Sequence, residues 1–396
     1  MSPDLLNGLL EGLHAAQQGL RALLHLLGLA PDVYGQPAWP LAHRIAAEML
    51  VVDAGHARRV LLSLLCAAGA VLALGLSLPW RRARMPLWAA AIALLVLAPW
   101  PQAHLLLAPA VATSLHNSPT GFEATGIVRG QAVYQQHCVR CHGTDGRGEG
   151  PDAAQLAQWP PNLNGALLWK RLDGELFWRV REGMHNRAGV VTMPGVGDAL
   201  RDDQIWEVLD YLQAHAAGQM LRESGTWDRP VRLPAMAVAC RQGRVRHSRD
   251  LAGQRVRVVA ASQGTPAVAD DPRLVTLVAG LPAGADAECQ PQGGPDAVAA
   301  AQQALALVLG VPTAELPGYQ LIVDRAGWLR ARGSPGQAAW SEDDLVCRSS
   351  VTAPPVDVSP ASRGGKAAAP AADGLQALIR RMDAEPVRLL RGGFPH

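Results

Sequence analysis

Cys138-Val139-Arg140-Cys141-His142 is the stretch on which the reading of this chain turns. Two thiols three residues apart fall on the same side of one helical turn. Each thiol can add to a vinyl group of a porphyrin, giving two thioethers, and the imidazole that follows then lies beneath the ring with a nitrogen aimed at iron. The pentapeptide therefore reads as covalent, c-type haem attachment. A zinc site would need two further ligands at metal spacing; His137 and His185 exist, but no second Cys pair does. A redox dithiol would need a thioredoxin setting around the pair, which is absent at this point of the chain. One covalent haem c is the expected cofactor, held by Cys138, Cys141 and His142.

The flanking residues resemble the class I cytochrome c family. Gly130-Gln131-Ala132-Val133-Tyr134 is similar to its N-terminal helix, where glycine admits another helix and the aromatic packs near the haem. His142-Gly143 leads into the glycine-rich turn Thr144-Asp145-Gly146-Arg147-Gly148-Glu149-Gly150. Asp202 to Leu212 resembles the C-terminal helix: its acidic start suits the positive helix end, and Ile205, Val208, Leu209 and Leu212 share its inward face. The resemblance covers about 90 residues and implies an all-α domain over 129–218 that cycles iron between two oxidation states. It also implies a second axial ligand in a loop before the last helix. Met193, in Thr192-Met193-Pro194-Gly195, matches that pattern; Met184 and His185 are competitors nine and eight residues earlier, and an open position is the third choice. A thioether ligand opposite His142 favours the reduced iron and raises the potential. The resemblance further implies that His142 donates its other N–H to a carbonyl near a proline, for which Pro161 is the candidate. Trp159, Trp169, Trp178 and Leu176 either wall the pocket or belong to the core.

Outward from this domain the 396 residues carry more than one unit. A net charge of +2 excludes a general nucleic-acid binder. Leu5 to Leu29, interrupted by Glu11, His14, Gln17, Gln18, Arg21 and His25, reads as an amphipathic helix within an N-terminal region of residues 1–57. Val60 to Trp80 and Met85 to Trp100, the latter continued by Leu105 to Ala112, read as a membrane hairpin over 58–113. The Arg81-Arg82-Ala83-Arg84 loop favours a cytoplasmic turn, Arg58 and Arg59 argue the other way, and haem attachment outside the cytoplasm decides for an external cytochrome. His43, His56, Trp100 and His104 are read as interfacial or loop residues rather than a metal site. Residues 114–128 read as a polar linker.

Residues 227–348 alternate strand, helix and strand patterns: Leu233 to Cys240, Leu251 to Ala260, the helix Pro295 to Leu309, then Pro317 to Arg330. This order resembles the α/β thioredoxin-like fold of extracytoplasmic thiol-disulfide proteins, with Pro317 where that family has its cis-proline. Ala261-Ser262-Gln263-Gly264-Thr265-Pro266 replaces the expected Cys-x-x-Cys, so thiol exchange lacks its nucleophile and a docking or scaffolding module is expected. Cys240, Cys289 and Cys347 allow at most one bridge. The tail 349–396 is low in complexity and reads as disordered, apart from a short amphipathic helix between Gly374 and Leu390 broken by Pro386.

The expectation is a multidomain chain on the cytoplasmic membrane, its cytochrome and C-terminal domains in the periplasm, meeting membrane lipid and redox partner proteins. No residues assemble a small-molecule substrate site. An electron carrier is the first reading. A cytochrome subunit of an oxidoreductase complex, or a haem-based sensor or assembly factor, is the alternative.

Overall fold

The computed structural model describes residues 3–46, 54–102, 106–165, 171–227, 230–241, 243, 245–262, 265, 269–280, 287–337, 339–347 and 373–387. They fall into two units, one within residues 3–116 with 171–175, the other within 117–165 with 176–387.

In the first unit, helix α1 (Pro3–Leu26) is held by its polar residues. The Gln17 amide donates to the Ile45 carbonyl at 3.2 Å and accepts the Ile45 N–H at 2.8 Å. Gln18 and Arg21 both donate to the Leu115 carbonyl. Leu20, Leu23, Leu26 and Leu27 remain exposed. Strands β1 (Asp32–Val33) and β2 (Gln36–Pro37) pair antiparallel. Helices α2 (Ala54–Ser77) and α3 (Arg84–Leu97) pack on each other through Ala70, Ala73 and Ala91, small residues that let the backbones approach.

Of the expected pair of membrane spans, one meets the length that a crossing needs. Among the described residues only Ala57–Ser77, 21 residues, is long and apolar enough to cross a membrane. Helix α3 has 14 residues, about 21 Å at 1.5 Å per residue, short of a ~30 Å hydrocarbon core. Pro99 and Pro101, which cannot donate helical hydrogen bonds, follow its end. The apolar run after it does not prolong a span: Leu107–Pro109 forms strand β4, antiparallel to β3 (His43–Ile45). His104 lies outside the described residues, as does the side chain of His56. The expected linker also begins as core, since Ser114, Leu115 and His116 are buried.

The second unit opens with helices α4 (Ala124–His137) and α5 (Val139–His142), the part of α6 (Asp173–Glu182) from Leu176 onward, the hairpin β5 (Gly183–His185) and β6 (Val191–Pro194), and α7 (Asp202–Ser224). Helices α4 and α7 cross at Gly130, where an added Cβ would stand 2.0 Å from the Glu207 carbonyl oxygen. Only glycine admits that contact.

A six-stranded sheet follows in the order β12-β11-β8-β9-β10-β7, with β7 Val238–Cys240, β8 Val256–Ala260, β9 Val275–Ala279, β10 Cys289–Pro291, β11 Gln320–Val323 and β12 Leu329–Gly333. Strands β8, β9 and β10 run parallel, and β11 is antiparallel to β8 and β12. All five residues of β8 are buried, as expected of a strand covered on both faces. Helix α8 (Pro295–Leu309) begins on proline and ends at Gly310 with φ +68°, the usual start and stop of a helix. Helix α9 (Gly374–Ala384) starts where the Asp373 carboxylate accepts the Leu375 N–H. The segment 348–372 lies outside the described residues.

Two expectations change here, and the open cysteine pairing is fixed. Helix α7 runs to Ser224, well past Leu212 and past the boundary drawn at 218. Its Ala214, Ala217 and Leu221 enter one hydrophobic core with Val256, Val258, Leu277, Ala301 and Leu305. Cytochrome helices and sheet therefore share packing, because small residues late in α7 admit α8 closely. At Gly218 an added Cβ would stand 2.0 Å from the Leu307 carbonyl oxygen. Pro317 is not cis, for no cis peptide bond occurs among the described residues. The bridge joins Cys240 to Cys289 across β7 and β10, which face each other directly in the antiparallel register; Cys347 is a free, buried thiol.

Candidate functional site

The attachment turn is prepared by α4. The Tyr134 carbonyl accepts the Cys138 N–H at 2.8 Å, and the Tyr134 hydroxyl donates to the Gly143 carbonyl at 2.8 Å. One aromatic thus braces both ends of α5. Within that turn the His142 N–H donates to the Cys138 carbonyl at 2.9 Å. Cys138 and Cys141, at i and i+3, share one side of it.

The carbonyls at the end of so short a helix need donors. The glycine loop supplies them: the N–H groups of Gly148, Gly150 and Asp152 donate to the carbonyls of His142, Cys141 and Arg140 at 2.9, 3.1 and 2.8 Å. A Cβ on Gly148 (φ +85°) would meet the Pro160 oxygen at 2.2 Å. This close approach accounts for glycine in the turn, which the sequence shows only as a glycine-rich string.

Burial sets the protonation of Cys138 and His142. Burial, with a smaller contribution from neighbouring Cys141, pushes the Cys138 thiol up to about 12. Such a thiol is protonated at neutral pH, unlike a zinc thiolate. Burial lowers the His142 pKa, so its imidazole is the neutral, ligating form. His142 is 8% exposed, and its Nδ1 has no hydrogen-bond partner. The expected acceptor, a carbonyl at Pro161, is therefore not engaged; the Pro160 and Pro161 carbonyls lie against Gly148 instead. Among the described residues no group of three or more His, Cys, Asp and Glu side chains is placed to hold a metal ion.

Met193 and its competitors sit on the β5–β6 hairpin. Met184 and Met193 are directly opposed in the register, so their side chains share a face, both half-buried. His185 is exposed, one position further along. Geometry brings the two thioethers together and sets the imidazole apart.

Of the proposed wall residues, Leu176 is buried and Trp178 half-buried, Trp159 is 58% exposed, and Trp169 lies outside the described residues. Sequence reasoning missed Phe177, fully buried and stacked on Trp206 with centroids 4.5 Å apart. The available signal was the helical spacing of Phe177 and Val180 in α6.

The cytochrome c family model matches residues 127–216. Thiosulfate dehydrogenase from Allochromatium vinosum is 33% identical over 94 residues, 22% of this chain and 31% of the relative. The chain therefore spans about a third of that curated relative. Among solved structures, cytochrome cL from Hyphomicrobium denitrificans is 21% identical over 24% of this chain and 51% of the other, with a TM-score of 0.19. A reducing HAO-like protein complex from Kuenenia stuttgartiensis is 22% identical over 31% and 58%, with a TM-score of 0.21. Residues 127–216 are a cytochrome c domain, and membership of that family implies covalently bound haem c.

Proposed function

We propose that this chain, built around its cytochrome c domain, is a membrane-anchored monohaem cytochrome that passes single electrons on the extracytoplasmic side of the membrane. The observation that carries the reading is the helical turn on which the half-buried Cys138 and Cys141 and the buried His142 stand together. The first two would hold the haem covalently and His142 would ligate its iron, with Met193 as the second ligand. When bound, the haem supplies one-electron chemistry. The protein's own part is to hold the attachment turn rigid through Tyr134 and the glycine loop, and to keep His142 neutral by burial.

Anchoring is supported by the 21-residue apolar helix Ala57–Ser77. An external location is supported by the Cys240–Cys289 bridge, a bond that persists in oxidising compartments. The thioredoxin-like reading of the C-terminal part is supported by the order β12-β11-β8-β9 with β11 antiparallel to its neighbours. A loop without cysteine follows β8, so this part serves as scaffold for the cytochrome rather than as a thiol oxidoreductase.

The haem of the full-length matured protein should resist acid–acetone extraction. The oxidised form should show the weak far-red band of a thioether–iron bond, and the reduced form should not bind carbon monoxide. Met193→Ala should abolish the band and open the iron to carbon monoxide, whereas Met184→Ala should retain the wild-type behaviour. A colourless matured chain, or haem lost to acid–acetone, refutes the reading. Loss of the band in Met184→Ala alone would transfer the ligand to Met184.

A further inference from the structure

The second unit holds a cavity of 260 Å³ where α4 and α7 meet the end of α8. Its polar wall is Gln131, Gln135, Thr144, His215, Gln219 and Arg222, and no carboxylate lines it. Arg222 donates to the neutral Gln219 amide oxygen rather than to an acid. The adjacent carboxylate, Glu223, is taken by Arg147. The Gln131 amide oxygen accepts from Gln303 at 2.6 Å, which leaves the Gln131 NH2 as its remaining donor. The carbonyls that end α8 do not compete for these donors, since Leu307 and Ala306 accept the N–H groups of Gly310 and Val311.

A half-enclosed space with a guanidinium, several neutral donors and no opposing carboxylate suits a small anion. We propose that this cavity binds a small inorganic oxyanion with two negative charges, of sulfate size, with Arg222 as the principal contact and Gln131 and Thr144 beside it. Val139, inside the attachment turn, and Thr144, just after it, also line the space. A dianion there lies beside the redox centre and favours its more positive, oxidised form, so occupancy lowers the potential. That consequence rests on the haem reading above; the binding itself does not.

The test is calorimetric titration of sulfate into the full-length protein at constant ionic strength set with chloride, beside Arg222→Gln and Arg325→Gln. Arg325 is an exposed arginine outside this cavity. Saturable binding is expected in the wild type and in Arg325→Gln, weakened about tenfold or more in Arg222→Gln. Far-UV circular dichroism checks that each variant is folded. Absence of saturable binding in the wild type overturns the proposal, as does equal affinity in Arg222→Gln. A sulfate-dependent fall in midpoint potential, absent from Arg222→Gln, supports the site and its coupling. Binding that depends on Arg222 without any change in potential supports the site and refutes its coupling to the redox centre, while a matured protein with no measurable redox couple faults the haem reading alone.

Discussion

Gly218→Ala is the substitution that most directly tests whether cytochrome and sheet form one body. The new Cβ would stand 2.0 Å from the Leu307 carbonyl oxygen and 2.8 Å from the Gly310 Cα. Ordinary contact begins near 3.4 Å, so α7 and α8 must separate by more than an ångström. The obstruction is backbone, which no rotamer change relieves. Overpacking of this kind costs about 3 kcal/mol, and the better helix propensity of alanine returns about 1 kcal/mol. The net loss of ~2 kcal/mol corresponds to a fall in Tm of about 4–8 °C for a unit of this size. Thermal unfolding should be followed at once by haem absorbance, which reports the cytochrome, and by far-UV circular dichroism, which reports the whole unit. Both transitions should move down together. Gly126→Ala is the internal control, since its Cβ would have 3.6 Å to the nearest atom and should cost nothing. Two separate transitions in the wild type, or a Gly218→Ala variant whose haem transition stays in place, would refute the shared core.

Gly130→Ala should weaken the α4–α7 crossing by a similar ~2 kcal/mol, with chemical denaturation of the variant beside Gly126→Ala as the measurement. Cys240→Ser should lower the unfolding free energy by about 2–4 kcal/mol, given the 49-residue separation that the bridge closes; reductant should mimic it in the wild type and leave the variant unchanged. His116 gives the first unit an acid sensitivity. Burial, opposed in part by its contact with the Pro37 carbonyl, lowers its pKa from 6.5 to about 4. The folded state thus resists a proton that the unfolded state accepts, and the stability present above pH 6.5 is lost as pH falls toward 4. Hydrogen exchange around residues 37–39 and 113–116 should quicken over that window, and His116→Gln should flatten the dependence.

The attachment turn, the glycine string and the acidic start of α7 were legible in the sequence because each is a local pattern with one physical purpose. Helix α8 was read at both ends, since Pro295 and Gly310 mark them. The shared core was not legible. Ala214, Ala217 and Gly218 are small residues whose importance lies in what approaches them, and composition cannot show that a neighbour from residues 301–310 does. The strand at Leu107–Pro109 was not legible, because hydropathy counts Leu105 to Ala112 as one apolar run and only the pairing with His43–Ile45 makes its centre a strand. Met184 and Met193 stand nine positions apart in the chain, and only the hairpin register reveals them as neighbours.

That hairpin has a consequence for ligand identity. Its strands are three and four residues long, too short for side-chain pairing alone to hold them in place. Gly183, at φ +80°, lies so close to Gly195 that a Cβ would stand 2.5 Å from the Gly195 nitrogen, which pins one end of the ladder. A slip of a single residue would turn Met193 to the opposite face and offer the Thr192 hydroxyl or the Pro194 ring in its place. If Met193 is the ligand, the identity of the sulfur offered to iron is thus guarded by two residues that carry no side chain at all.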